Sequence, residues 1–183
     1  MDVLTAINAR ASATRLAEPG PTPEQLTTIL QAAIRAPDHG RLSPWRFVVL
    51  EGAKRMLLGD AMRELQRRQK PDASVEDLDK AAQKVMRAPT IIVVAARTTA
   101  PSKVPAIERV VAVGAAVQNM FLAAHALGLG AMWKTGDAAY DGNVRSALGL
   151  EPSDQIVAFL YLGTAAGKGE PRAVSLEGLV VTP

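Results

Sequence analysis

Between Val110 and Leu129 the sequence VVAVGAAVQNMFLAAHALGL contains no Asp, Glu, Lys or Arg. A helix that is apolar on nearly every side has to be surrounded by other elements or by another chain. The stretch approaches membrane-spanning length, yet it carries Gln118, Asn119 and His125 and has no flanking anchors, so a buried core or interface helix is predicted over Ala106 to Leu127. Gly128 is placed to end it at the C′ position. Gly128 and Gly130 then lead into a short strand, Ala131 to Lys134, and the turn Trp133-Lys134-Thr135-Gly136. An aromatic, a cation, a hydroxyl and a flexible backbone are expected there within one small volume, a combination suited to a flat anionic ligand.

A chain of 183 residues is long enough to bury a complete core as one domain, residues 1–183, with roughly 70% of its unfolded surface removed from water. It contains no cysteine, which removes disulfides, thiolate catalysis and iron–sulfur ligation. His39 and His125 share no helical spacing with carboxylates, so no metal site is expected. The net charge of +3 describes a mildly basic protein suited to small anions rather than nucleic acid. MDVLTAINAR lacks the apolar segment of an export signal, and a cytoplasmic protein is expected.

Helix and strand patterns mix along the whole length, which predicts a single α+β or α/β domain. Val3 to Arg10 reads as a short helix, and the polar run Ala11 to Thr22 as a connecting loop. Thr22-Pro23-Glu24-Gln25 is a capping box with proline at the first helical position. Leu26, Ile29, Leu30, Ala33 and Ile34 follow as one apolar stripe, ended by Pro37. A strand is predicted at Arg46 to Leu50. Ala53 to about Gln69 reads as a helix with Lys54, Arg55, Arg63, Arg67 and Arg68 on a solvated face. A further helix is capped by Ser74 and runs to Arg87. TIIVVAA at Thr90 to Ala96 is a strand buried on both faces. Asn143 to Leu148 forms a short helix stopped by Gly149, Gln155 to Gly163 a second buried strand, and Thr164 to Pro183 a tail of unassigned structure.

Three polar clusters stand at the edges of these elements. Arg10, Ser12 and Arg15 follow the first helix and offer a guanidinium fork and a hydroxyl to a phosphate. Arg35, Asp38 and His39 lie in a Pro- and Gly-rich loop, where Arg35 also reads as a cation completing a helix end and His39 as an exposed loop histidine. Trp133, Lys134 and Thr135 form the third cluster, whose plainer reading is a strand end with a half-buried indole and a snorkelling lysine. His125 reads as an interior histidine with its hydrogen bonds satisfied. GTAAGKG at 163–169 is one residue short of a phosphate loop and has Gly169 where a hydroxyl should hold magnesium. Gly128-Leu129-Gly130 follows a helix and lacks the third glycine of a dinucleotide fingerprint.

In this order the segments INARASATRLAEPGPTPEQL, RAPDHGRLSPWRFVVLEG, RAPTIIVVAA, AAVQNMFLAAHALGLGAMWKTG and IVAFLYLGT resemble the FMN-dependent nitroreductases, most closely their compact YdjA-like branch of NAD(P)H nitroreductases. The resemblance spans nearly the whole chain. It implies a nitroreductase-like α+β fold, a central mixed, largely antiparallel sheet flanked by helices. It further implies a homodimer with FMN sites shared between subunits. Arg10, Ala11, Ser12, Arg35, His39, Trp133, Lys134 and Thr135 are carried over as FMN contacts, and Ala123, Ala124, His125, Ala126, Leu127 and Gly128 as the segment associated with the nicotinamide. The implied activity is ping-pong transfer from NAD(P)H through FMN to a nitroaromatic, quinone or similar small acceptor, without a catalytic side chain, a membrane or a nucleic acid.

The sequence departs from that pattern where Ala11 replaces the usual second arginine, and where Asp38-His39 and Leu42-Ser43 occupy a loop that holds Asn and Gln in larger relatives. Lys168 and Arg172 in the tail remain open as further phosphate contacts. Dehalogenation or flavin breakdown on the same scaffold, or a non-catalytic FMN-binding dimer, remain as alternatives to nitroreduction.

Overall fold

The structure is a computed structural model describing residues 1–98, 103–167 and 169–182. Its frame is β5, Gln155–Gly167, a 13-residue strand against which three others pair. The partners are β3 (Thr90–Ala96), β4 (Gly130–Lys134) and β1 (Arg15–Ala17), and β2 (Trp45–Glu51) extends the sheet beyond β3. Every described pairing is antiparallel, so the expected mixed sheet is purely antiparallel among these residues.

All seven residues of β3 are buried, as their continuous apolar run requires for a strand covered on both sides. Alternation sends Ile92, Val94, Leu160 and Leu162 to one face, where they meet α2 (Pro23–Ala33) and α5 (Ala106–Ala126). Ile91, Val93, Phe159 and Tyr161 point the other way, toward α3 (Arg55–Gln69), α6 (Gly142–Ala147) and the 3-10 turn Lys84–Arg87 that extends α4 (Val75–Gln83). A helix–sheet–helix sandwich results, with α1 (Val3–Ala9) resting on α5.

Local chemistry places the helix ends where the sequence marks them. Thr22 accepts from Gln25 N at 3.3 Å, and the Gln25 side chain accepts from Thr22 N at 2.9 Å, closing the capping box of α2. Ser74 caps α4, and Gly128 takes φ 77° after α5. α5 satisfies length and hydropathy criteria for a membrane span, but Val113, Ala116, Val117, Met120 and Ala124 are buried against the sheet and α2.

Three expectations change. The polar run after α1 contains β1, a strand whose pattern is too short and too polar to register as periodicity; Leu16 supplies its apolar contact. β5 also continues four residues past Gly163 to pair with it, so the tail begins later than expected. Arg55 is buried rather than solvated, its guanidinium donating to the carbonyls of Gly52 and Ala88 and tying α3 to the entrance of β3.

Gly163 lies where β5, β1 and Pro89 converge. A Cβ there would stand 2.7 Å from Pro89 Cδ and 2.8 Å from the Ala17 carbonyl oxygen. Because one of those neighbours is backbone, Gly163→Ala is expected to destabilise the fold by about 1–3 kcal/mol, measured as a lower urea midpoint at unchanged slope.

Candidate functional site

Two adjoining hollows, of about 460 and 340 Å³, open on the α3 side of the sheet, and Arg87, Lys134 and Tyr161 line both. The larger runs under α3, past Leu65 and Gln66, to Lys84 and the Thr135-Gly136 turn. The smaller reaches Thr14, Arg15 and Met132. Together they form one groove with an aromatic floor, since Phe159 and Tyr161 are each 3% exposed.

The groove is rich in cations. Lys84, Arg87, Lys134 and Arg15 line it, and none of their side chains has a hydrogen-bond or ion-pair partner among the described residues. Asp137, the sole carboxylate among the described lining residues, already accepts from Gln69 Nε2 at 3.1 Å. Arginines outside the groove are treated differently: Arg63, Arg67 and Arg68 pair with Asp79, Glu64 and Asp141. A concave surface with uncompensated positive charge attracts an anion. Burial pushes the Tyr161 phenol above its usual range, while the positive charge of Arg87 pulls it the other way.

The pleat of β4 divides the Trp133-Lys134-Thr135 cluster. Lys134 faces the groove with Met132, whereas Trp133 turns to the α5 side, its ring 6.5 Å from that of Phe121. The indole N–H donates to the Val157 carbonyl at 3.1 Å, which fixes the ring across the sheet edge. The expectation of one small volume for all three side chains therefore fails, because consecutive strand residues point to opposite faces. Thr135, past the strand end, lines the groove with Lys134.

The segment from Arg10 to Arg15 straddles the same sheet edge. Arg10 Cζ stands 5.1 Å from the Phe121 centroid, a cation–π contact on the α5 side. Ala13 N donates to the Ala131 carbonyl at 2.9 Å, pinning the segment beside β4 so that Thr14 and Arg15 enter the groove. Ala11 is half-buried and Ser12 exposed, and Gly169 lies so near the Ser12 carbonyl that a Cβ would stand 2.1 Å away. Lys168 lies outside the described residues, and Arg172 is exposed in the tail.

Arg35 and His39 are not part of this groove. They follow α2, and His39 Nδ1 pairs with the Glu108 carboxylate in the first turn of α5. Phe121, beneath Arg10, is thirteen positions farther along that helix, about 20 Å at the helical rise. Within one chain the two halves of the expected site therefore stand at opposite ends of α5. Ala123 to Gly128 form its last turn and exit, with Ala124 buried and Ala126 and Gly128 exposed. His125 also differs from expectation: its Nε2 is buried without a hydrogen-bond partner, so this histidine is not a satisfied interior residue.

Sequence reasoning missed Lys84, Arg87, Thr14 and Tyr161. Arg87 and Tyr161 were read as a helix end and a strand-core residue, and no local motif marks either. The available signal was three-dimensional, since Arg87 ends the turn that leads through Ala88 and Pro89 into β3, while Tyr161 sits on its neighbour β5.

An antiparallel sheet between helical layers, with a cation-lined groove at the end of a core strand, describes an α+β binder of an anionic small molecule. The chain belongs to the nitroreductase family, whose sequence model matches residues 9–164. It is 43% identical over 164 residues to the Escherichia coli K12 protein named "Putative NAD(P)H nitroreductase YdjA", covering 90% of this chain and 88% of that one. A Bacillus cereus nitroreductase-like protein shares the fold with a TM-score of 0.85 at 24% identity, over 100% of this chain and 96% of its own. A Desulfovibrio desulfuricans nitroreductase solved in complex with FMN aligns with a TM-score of 0.78 at 29% identity, over 100% and 97% of the two chains.

The environment of Tyr161 makes a prediction about alkaline pH. Its folded-state pKa lies above the unfolded value, so the neutral phenol contributes stability below the ordinary tyrosine pKa, and that contribution is lost as pH rises through the folded value. In an alkaline titration followed by phenolate absorbance, the last component to appear should be absent from Tyr161→Phe.

Proposed function

We propose that this chain is an FMN-dependent NAD(P)H oxidoreductase, one nitroreductase-like domain over residues 1–183, acting in the cytoplasm on a nitroaromatic, quinone or similar small acceptor. The observation that carries the reading is the uncompensated charge of the groove in a chain of this family. FMN combines a dianionic phosphate with a flat ring system. The donor set suits both parts: cations and a hydroxyl along the walls, and apolar and aromatic surface beneath.

When bound, FMN supplies hydride acceptance from NAD(P)H and electron delivery to the acceptor. The residues have simpler tasks. At the phosphate end Arg15 presents its donors from the groove and Arg10 from the α5 side of the same sheet edge, with Ser12 on the segment between them and Ala11 contributing only backbone. Lys134, Lys84 and Arg87 place positive charge beside the ring, where it favours an electron-rich state. Thr135 and the backbone of its turn orient the ring edge. Trp133 presents its indole on the opposite side of the sheet. The Ala123 to Gly128 segment is assigned to the nicotinamide donor, with the unsatisfied His125 Nε2 as a polar atom within it.

Arg35 and His39 join the site in a homodimer. A second copy packed antiparallel along α5 brings its own Arg35 loop to the end that carries Arg10, so each site draws on both chains. Exposed apolar residues support this packing. Ile107 and Val111 on α5 are 65% and 64% exposed, Val3 and Leu4 on α1 are also exposed, and so are Val174, Leu176, Leu179, Val180 and Val181 in the tail.

Purified protein is expected to be yellow, with flavin bands that bleach when NADH or NADPH is added under nitrogen; a colourless protein that does not bind added FMN would overturn the reading. Arg10→Ala is expected to weaken FMN binding by about 1–3 kcal/mol through loss of charge-assisted hydrogen bonds, measured by flavin fluorescence titration. Sedimentation should give a flavin-loaded dimer, and a stable flavin-loaded monomer would contradict the shared site.

A further inference from the structure

The loop between α2 and β2 holds a backbone that L side chains disfavour. Arg41 and Ser43 have φ of 53° and 47°, and Gly40 between α2 and Arg41 has φ 77°. Such strain persists where surrounding contacts over-determine it, and it gathers at ligand sites. Two fastenings hold this loop from within: Ser43 N donates to Asp38 Oδ2 at 2.7 Å, and Arg41 N to the Asp38 carbonyl at 3.1 Å. Arg97 N, at the end of β3, donates to the Pro44 carbonyl at 2.7 Å and anchors the exit.

A further side-chain fastening runs from His39 Nδ1 to Glu108 on α5. Glu108 is well placed for it. It occupies the first turn of a helix whose N-cap, Pro105, makes no side-chain cap, so its charge also complements the helix start. The His39 side chain is nonetheless 69% exposed, and its Nε2 has no partner among the described residues. One ring nitrogen is thus committed and the other is presented outward. A stabilising surface ion pair alone explains little here, since exposed pairs contribute weakly. Fixing which nitrogen faces a ligand is what a carboxylate behind an imidazole does.

We infer that Glu108 is a positioning residue: it holds His39 through Nδ1 so that Nε2 meets the FMN bound by the partner subunit. The inference rests on the proposed FMN site and goes beyond it by giving a role to a carboxylate that does not touch the ligand. Charge at Glu108 acts together with the neighbouring groups Asp38, Arg35 and Arg41 on the loop and Arg109 on α5, but Asp38 is occupied by Ser43 N and Arg109 by the Thr98 carbonyl.

The test is a double-mutant cycle on the full chain, with FMN affinity read by flavin fluorescence for wild type, Glu108→Gln, His39→Ala and the double variant. Glu108→Gln is expected to weaken FMN binding about tenfold, and the double variant to bind no worse than His39→Ala, because contacting residues couple rather than add. In parallel, nitrogen NMR of histidine-labelled protein, which has two histidines, should show the His39 Nδ1 signal change in Glu108→Gln. Glu108→Gln with wild-type affinity, losses that add in the double variant, or an unchanged Nδ1 signal would overturn the inference while leaving the FMN reading intact. Failure of the wild type to bind FMN would remove both.

Discussion

The two-sided burial of β5 is the constraint from which the other features follow. Three strands hydrogen-bond to it, and its side chains are divided between two hydrophobic layers, so no residue on it can change face without moving a layer. β4 inherits this alternation through its pairing with β5, which sends Lys134 to the groove and Trp133 to α5. The glycines at 130 and 163 mark where neighbouring chain approaches too closely for a side chain, at Leu16 and Ala13 in one case and at Pro89 and Ala17 in the other. The groove is therefore positioned by sheet register rather than by its own loops.

Much of the framework was legible in the sequence because its signals are local. The capping box at Thr22 and Gln25, the seven-residue apolar run of β3 and the unbroken apolar face of α5 each encode one element without help from distant residues. β1 was not legible, since a strand of three residues is defined by its partner rather than by its pattern. Arg55 was misread for a related reason: it lies on the polar register of α3, but the carbonyl of Ala88, thirty-three positions away, captures it. The site was legible in part. Lys134 and Thr135 carry recognisable chemistry at an element end, whereas Lys84, Arg87 and Tyr161 become neighbours only when the turn after α4 packs on one face of β5.

The separation of the Arg35 and His39 loop from the Arg10 segment gives α5 a second role. The helix is a core element on one side, and in the proposed homodimer it would set the distance between the two parts of each shared site. Its exposed Ile107 and Val111 are apolar surface that the proposed dimer would cover.

Four cationic side chains line the groove against a single described carboxylate, Asp137. Before any ligand arrives, the excess positive charge along the groove is self-repelling. An anion that relieves this repulsion binds the native state alone and so raises its stability by mass action. Resistance to unfolding and proteolysis would then track cofactor supply, and newly made polypeptide would become durable only once loaded.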